Sequence, residues 1–266
     1  MAYVDGRVRL VVVTELRLRS TSRAEDAGFL AMRDISAVAN KTAIEYRIVG
    51  GQMVRLHVAL AGAPEPTVRV TQDADMGIAA ASARNPALVA GLEALGYTRP
   101  EASNRFIRAT SDGLRLVIDV LTPAWGRRMM SNQQYGEMTV DEIPGLSLAL
   151  AGPGESIDLV VTLLDDTSML FVVAIPSITS ALCLKVLGWA DRRAGKDAVD
   201  VWRLLRAHVR RIPGPTAWRD SGVQGDAVAI LREDFSRPAG AGAHAASPDR
   251  AEQAEIRALT LAVLRT

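Results

Sequence analysis

The spacing of apolar and polar positions changes near residue 176, and this change predicts two structural parts. Before it, short alternating or β-branched runs predict strands, at 7–18, 44–49, 68–78, 105–110, 114–121, 147–151, 156–164 and 169–173. Among these strands, apolar residues at helical spacing predict helices, at 22–40, 53–60 and 85–95. After residue 176, apolar residues three and four apart predict a series of helices, at 180–193, 196–210, 225–235 and 250–264.

This pattern predicts an α+β fold. We expect a mixed sheet with flanking helices in residues 1–176, followed by a helical lobe in residues 177–266. Two of the strands are joined by Ser-Asp-Gly, and Gly113 suits a hairpin because it adopts a positive φ easily. Residues 236–249, which are rich in Ala, Gly, Ser and Pro, predict a low-complexity linker before the last helix.

Composition narrows the possible partners and compartments. The chain has 31 Lys and Arg against 30 Asp and Glu, so its net charge favours no strongly electrostatic partner, and a nucleic-acid surface would have to be local. Cys183 is the single cysteine, which excludes an intramolecular disulfide and a cysteine-based zinc site. The N-terminus lacks the pattern of a signal peptide, and no apolar run reaches the roughly 18 to 20 residues that span a bilayer. We therefore expect a cytoplasmic protein without membrane association.

Asp73 and Asp75 are the first candidates for chemistry. They are separated by one residue in a predicted strand, so their side chains are expected on the same face. Two carboxylates this close repel each other unless a positive group lies between them. A divalent cation with oxygen ligands, such as Mg²⁺ or Mn²⁺, is the usual partner, so the pair predicts a metal site.

A third carboxylate and a glycine pair extend this candidate site. Asp119 interrupts an apolar run, where an ionised group needs a reason, and Asp158 is flanked by apolar residues in the same way. Both are therefore candidates for the third metal ligand. Gly50 and Gly51 lie where a strand is expected to pass into a helix, and backbone N–H groups there can approach the phosphates of a nucleoside triphosphate (NTP) closely.

A Gly-Gly turn followed by Asp-x-Asp and a later acid resembles the nucleotidyltransferase superfamily of the DNA polymerase β type. A second motif lies in the helical part, where Lys185-Val-Leu-Gly-Trp-Ala-Asp-Arg-Arg-Ala-Gly-Lys-Asp-Ala-Val-Asp200 resembles the C-terminal motif of AbiEii-type toxins. The two motifs occur in the order of that family and extend from about 44 to 205. The chain thus resembles AbiEii/MenT-like nucleotidyltransferase toxins of bacterial toxin–antitoxin systems.

The resemblance implies a function and a set of roles. It implies transfer of a nucleotide, preferably a pyrimidine, from an NTP to the 3′ end of tRNA, and neutralisation by a cognate antitoxin. Asp73, Asp75 and Asp119 would hold the metal, Asp119 being preferred over Asp158 because its strand follows the hairpin. The remaining roles fall to Lys185 as triphosphate clamp, Asp200 as a further catalytic group, and Gly50, Gly51 and Thr71 as NTP contacts. Nucleotide transfer to a protein or a small molecule is an alternative, as is a non-catalytic nucleotide-binding module.

Overall fold

A computed structural model describes residues 14–63, 70–214 and 216–265. The strands are β1 (Thr14–Arg19), β2 (Tyr46–Val49), β3 (Ala74–Ile78), β4 (Arg105–Ala109), β5 (Arg115–Pro123), β6 (Met130–Tyr135), β7 (Met138–Ile143), β8 (Gly154–Thr162) and β9 (Ser168–Pro176). The helices are α1 (Arg23–Thr42), α2 (Gly50–Leu60), α3 (Ala80–Ala83), α4 (Pro86–Ala94), α5 (Leu146–Ala151), α6 (Ile178–Arg192), α7 (Gly195–Arg211), α8 (Gly222–Ile230), α9 (Ala241–Ala246) and α10 (Arg250–Leu264), with a π-helical turn at Leu231–Phe235. Parts of the expected strands 7–18 and 68–78 lie outside the described residues.

The strands form two sheets. The larger has the order β2-β3-β5-β7-β6, and β4 also pairs with β5. Its centre is parallel, because β5 pairs in parallel with both β3 and β7, whereas β2, β4 and β6 join antiparallel. The smaller sheet has the order β1-β8-β9, with β1 and β8 parallel. The α+β class, with mixed sheet pairing before a helical C-terminal part, is confirmed.

The first hydrophobic core lies between the sheets and helices α1 and α4. Helix α1 begins after Ser22, whose side chain accepts a hydrogen bond from the Glu25 N–H, and it ends at Ala43 with φ 53°. Its apolar face is fully buried together with apolar residues of β2, β3 and β5, among them Phe29, Met32, Ile35, Ile48, Met76 and Ile118. This packing fixes the central parallel strands on which the acidic residues lie.

The second hydrophobic core crosses residue 176. It joins apolar residues of α2 to those of α6 and α7, including Met53, Val54, Leu182, Val201, Trp202 and Leu205. Because α2 follows β2 directly, this core holds the helical part against the edge of the larger sheet. None of the described helices combines the length and apolar character that crossing a membrane requires.

Three expectations about individual segments are wrong, and two strands were not expected. The expected strand 147–151 is helix α5, in which Leu146 and Ala149, three residues apart, are buried. The alternation of Leu with Ser and Ala suggested a strand, but Leu and Ala are strong helix formers.

The expected linker 236–249 contains α9, where Gly242 packs on the Phe235 ring and Ala243 is buried. Strands β6 and β7 were not predicted; in β6 the four consecutive polar residues 131–134 lack the alternation that marks a strand. Finally, β3 begins at Ala74, so Asp73 precedes the strand rather than sharing its face with Asp75.

Candidate active site

Asp75 and Asp119 lie side by side at the centre of the larger sheet. Their Cα atoms are partners in the parallel pairing of β3 with β5, so both side chains leave the sheet on one face. Asp73 lies immediately before β3, two residues from Asp75. The three carboxylates form what we call the acid cluster, and all three line one cleft.

The N-terminus of α2 contacts this cluster. Gly50, its first residue, has φ 66°, and a Cβ atom there would lie only 1.6 Å from Asp75 Oδ2. A Cβ atom on Gly51 would lie 2.6 Å from Thr71 Oγ1. Val49, which precedes the helix, supplies no side-chain cap. Both glycines therefore allow an approach that no side chain would permit, and they leave backbone N–H groups at the wall of the cleft.

The cleft has a volume of about 700 Å³ and lies between the sheet and the α6–α7 hairpin. The sheet side contributes the acid cluster, Gly50, Gly51, Thr71 and Arg105, and the helical side contributes Lys185, Gly188, Asp191, Arg192 and Lys196. Thr71 is positioned by α2, because Gln52 Nε2 donates a 2.9 Å hydrogen bond to its carbonyl oxygen. The cleft is thus built from both structural parts of the chain.

Arg105 is the nearest cation to the acid cluster on the sheet side. It faces Asp119 across the β4–β5 pair and donates to it from Nε at 2.8 Å and from Nη2 at 2.6 Å. Its Nη2 also lies 3.5 Å from Asp73 Oδ2. One guanidinium therefore neutralises charge on two of the three acids.

Asp75 has a raised pKa. Burial is the largest cause, and together with the charges of Asp119 and Asp73 it raises the pKa of Asp75 to about 6, against the opposing effect of Lys185 and Arg105. The effect of Lys185 shows that the helical side acts electrostatically on the sheet side. A carboxyl with this pKa changes its charge near neutral pH, which makes Asp75 a candidate for a residue that takes part in function.

Lys185 is held by Asp200. The Lys185 Nζ atom on α6 lies 2.8 Å from Asp200 Oδ2 on α7, and Arg203 lies 3.6 Å from the other carboxylate oxygen. Asp200 is fully buried, whereas Lys185 retains slight exposure and lines the cleft. Asp200 therefore positions the ammonium group of Lys185, and its own side chain lies behind that group.

The acid cluster has the donor chemistry of a Mg²⁺ or Mn²⁺ site, because carboxylate oxygens are the ligands those ions prefer. Within the described ranges, however, no three Asp, Glu, His or Cys side chains are grouped so that they hold an ion as they stand. Arg105 occupies both oxygens of Asp119. The residues fit a divalent cation provided that Arg105 releases Asp119.

The structure brings most of the expected site residues together. Seven of them line the cleft, namely Gly50, Gly51, Thr71, Asp73, Asp75, Asp119 and Lys185, with Asp200 directly behind Lys185. Asp158 lies elsewhere, on β8 of the smaller sheet, where it pairs with Glu15 and Val172. The roles of the seven cleft residues as metal and nucleotide ligands stay predictions.

Several cleft residues were not found from the sequence as candidates. Asp141 on β7 accepts a hydrogen bond from the Asn132 N–H, and Arg192 binds both oxygens of Asp197 at 2.9 and 3.1 Å. For Arg105 a signal existed, because counting outward from the Ser-Asp-Gly turn places it opposite Asp119. Arg192 lies within the motif from Lys185 to Asp200 but was not singled out there, and Asp141 had no comparable signal.

Comparisons with known proteins place this chain in no family. No protein-family model matches it, and no curated protein does. Among solved structures, it is similar to an antigenic nucleotidyltransferase-like protein from Paracoccidioides brasiliensis, at 12% identity and a TM-score of 0.45, over 93% of this chain and 96% of that one. At this identity and TM-score the similarity alone assigns neither a family nor an activity.

Proposed function

We propose that the protein is a metal-dependent nucleotidyltransferase that transfers a nucleoside monophosphate from an NTP to a hydroxyl of RNA. The observation that carries the proposal is the placement of Asp75 and Asp119 on neighbouring parallel strands, beside the N-terminus of α2 and across a cleft from Lys185. Clustered carboxylates for a metal ion, backbone N–H donors and a lysine around one cavity are groups that phosphoryl-transfer enzymes use.

The NTP phosphates are assigned to the space between α2 and α6. Backbone N–H groups at Gly50 and Gly51 and the positive end of the α2 dipole attract phosphate oxygens. Lys185 offers a compact positive charge from the opposite wall, held in place by Asp200. Thr71, whose backbone is held by Gln52, adds a hydroxyl donor on the α2 side of the cleft.

Asp73, Asp75 and Asp119 would hold Mg²⁺ or Mn²⁺. The bound ion would neutralise charge on the triphosphate and on the attacking oxygen. The residues that line the cleft orient the reactants. The acceptor hydroxyl oxygen bonds to the α-phosphorus and releases its proton to solvent, while the bond from the α-phosphorus to the bridging oxygen of the β-phosphate breaks and pyrophosphate leaves. Lys185 and the α2 N-terminus would balance the charge on that leaving group.

An RNA acceptor and a role as a toxin are supported by the second motif, Lys185 to Asp200, which resembles AbiEii-type toxins. By this resemblance the acceptor is the 3′ end of tRNA, and blocking that end would stop translation until a cognate antitoxin intervenes. Induced expression in a bacterial host tests this role. The wild type should arrest growth and Asp75→Asn should not; equal growth of both strains would refute the toxin.

The activity itself is tested with each NTP labelled at the α-phosphate, Mg²⁺ and total RNA. We expect label in small RNA with the wild type, none with Asp75→Asn, and none from γ-labelled NTP, which separates nucleotidyl from phosphoryl transfer. Asp158→Asn is the matched control and should retain activity, because Asp158 lies on the smaller sheet. Label in a protein or small molecule would assign a different acceptor, and NTP binding without transfer would indicate a non-catalytic module.

A further inference from the structure

One aromatic side chain stands out on the surface. Trp125 is 97% exposed, whereas the next most exposed large apolar residue of the described chain, Leu170, is 69% exposed. Of the other three tryptophans, Trp189 and Trp202 are buried and Trp218 is partly buried. An indole that is this exposed has its ring available for stacking, and what it could stack on depends on the residues around it.

The loop that carries Trp125, residues 124–129, is fixed at several points. At its start the Ala124 N–H donates to the Ile143 carbonyl at 3.0 Å, and at its end the Met129 N–H donates to Asp191 Oδ2 at 3.2 Å. Between them Arg127 pairs with Asp226 at 2.9 Å. These contacts tie the loop to β7, α6 and α8, and they present the indole from an anchored support.

The loop forms the rim between the catalytic cleft and a second cavity. Met129 and Asp191 line the cleft that contains the acid cluster. Asp191 also lines a neighbouring cavity of about 590 Å³, together with Arg127, Arg128, Leu187, Ala190, Asp226, Ala229 and Ile230. A chain that leaves the cleft past Asp191 therefore meets Arg127 and Arg128 next.

An aromatic face beside two arginines matches the chemistry of single-stranded nucleic acid. Single-strand sites combine aromatic side chains that stack on bases with positive groups that follow the phosphates. Within the loop, the residues that follow Trp125 favour a nucleic acid over a protein, because Gly126, Arg127 and Arg128 are all exposed and two of them are positively charged. The Arg127 side chain is 83% exposed, so its guanidinium can contact a phosphate while it keeps the ion pair with Asp226 that anchors the loop.

We propose that residues 124–129 form a binding site for single-stranded RNA, in which Trp125 stacks on an acceptor base and Arg127 and Arg128 contact the adjoining phosphates. The site would hold unpaired nucleotides next to the terminal hydroxyl, and so align that hydroxyl with the cleft. This inference rests on the proposed function, because it names the acceptor side of the same reaction.

Direct binding tests the site without any need for catalysis. The probe is a fluorescent single-stranded RNA of ten nucleotides, compared by anisotropy with a blunt duplex of the same sequence. Trp125→Ala should weaken binding of the single strand by roughly 5- to 150-fold, the range expected for loss of one base stack. Trp125→Phe should retain most of the affinity, and Leu170→Ala, a matched change of an exposed apolar residue, should have no effect.

Two further measurements separate base stacking from nonspecific electrostatic binding of RNA. Arg128→Gln should reduce the slope of log affinity against log salt by about 0.7, as expected for one lost phosphate contact to a single strand. RNA should quench the fluorescence of the wild type, and the quenching should disappear in Trp125→Phe. Trp125→Ala should still bind a fluorescent NTP analogue as the wild type does, because the indole lies outside the NTP wall.

The outcomes distinguish this inference from the function on which it rests. If the wild type transfers nucleotide to RNA and Trp125→Ala binds the single strand as tightly as the wild type, the inference is wrong and the function stands. If the wild type transfers nucleotide only to a protein or small molecule and binds no RNA, both are wrong. Equal affinity for single strand and duplex would also overturn the stacking site.

Discussion

Arg105 and Asp119 form a two-bond ion pair across the β4–β5 hairpin, with hydrogen bonds of 2.8 and 2.6 Å. The same guanidinium lies 3.5 Å from Asp73, so Arg105 neutralises two acids of the cluster. A divalent cation would compete with Arg105 for these oxygens. The affinity for metal and the stability of the metal-free protein are therefore linked through one residue.

Replacing Arg105 should separate these two effects. In Arg105→Gln the three carboxylates lose their nearest neutralising group on the sheet, so the metal-free protein should lose on the order of 1 kcal/mol of unfolding free energy. Metal binding should tighten by about tenfold, because no guanidinium has to be displaced. Thermal unfolding with EDTA or Mn²⁺, together with direct titration of Mn²⁺, measures both.

Arg115→Gln is the control for Arg105→Gln, because it removes an exposed arginine from β5, the strand that carries Asp119. It should change neither stability nor metal affinity appreciably. Weaker Mn²⁺ binding in Arg105→Gln would contradict the competition and would make Arg105 a structural support of the site.

The pKa of Asp75 predicts a stability that falls as pH rises. Burial and the neighbouring acids raise the pKa of Asp75 from 3.8 to about 6, so folding favours its protonated form. This contribution is complete below about pH 4 and is lost as pH increases through about 6. Without divalent cations, Asp75→Asn should therefore be more stable than the wild type at pH 8, by about 1–3 kcal/mol.

Urea unfolding in EDTA at pH 4.5 and pH 8 measures this difference, which should shrink at the lower pH. Asp158→Asn, which removes a carboxylate remote from the cluster, gives the effect of losing one negative charge in general. An advantage of Asp75→Asn that is the same at both pH values would show that ionisation of Asp75 is not its cause.

The sequence indicated the acid cluster because its signals are local. Side chains along a strand point alternately to its two faces, so an acid within an apolar run can be recognised from the sequence before the fold is known. The pairing of Asp75 with Asp119 agrees with the expectation that the third acid lies on a neighbouring strand. The sequence could not show that Asp73 lies before β3, because strand ends depend on tertiary packing.

Long-range contacts account for most of what the sequence missed. Asp141 lies in the cleft because β7 adds to β5 in parallel, a pairing set by the whole sheet. Helix α9 forms where the composition indicated a linker, because Phe235 packs on Gly242. Trp125 carried no sequence signal, since an indole is expected inside the fold, and only the three-dimensional structure shows its exposure.

The close approach of Gly50 to Asp75 predicts a specific effect of one methyl group. Gly50 and Gly222 both have φ 66° and both begin a helix, but only Gly50 contacts an acid. Either Gly→Ala change forces alanine into a left-handed conformation, at a cost of about 1–2 kcal/mol. Gly50→Ala must in addition displace the Asp75 carboxylate, whose Oδ2 lies 1.6 Å from the new Cβ position.

We therefore expect Gly50→Ala to lose at least as much stability as Gly222→Ala, and we expect a loss of function only in Gly50→Ala. Transfer of nucleotide should fall by at least about 100-fold in Gly50→Ala, because a displacement of the order of 1 Å at a reacting centre has this effect. Gly222→Ala should transfer nucleotide at nearly the wild-type rate. Equal activities would show that the contact between α2 and Asp75 is irrelevant to the reaction.

Lys185 and Asp200 allow a structural and a ligand-binding role to be separated in one double-mutant cycle. Each change alone, Lys185→Met or Asp200→Asn, disrupts a buried pair and should lower the unfolding free energy by about 3–5 kcal/mol. The double variant should lose less than the sum, by about 1–3 kcal/mol, because the Lys185 ammonium and the Asp200 carboxylate are then removed together. NTP affinity should follow a different rule: it requires the ammonium group, so the double variant should bind NTP as poorly as Lys185→Met.

Lys196→Met, which removes an exposed lysine from the same cleft, should leave stability unchanged. If the double variant regained NTP binding together with stability, Lys185 would act only through the fold, and the assignment of its ammonium group to the triphosphate would be wrong.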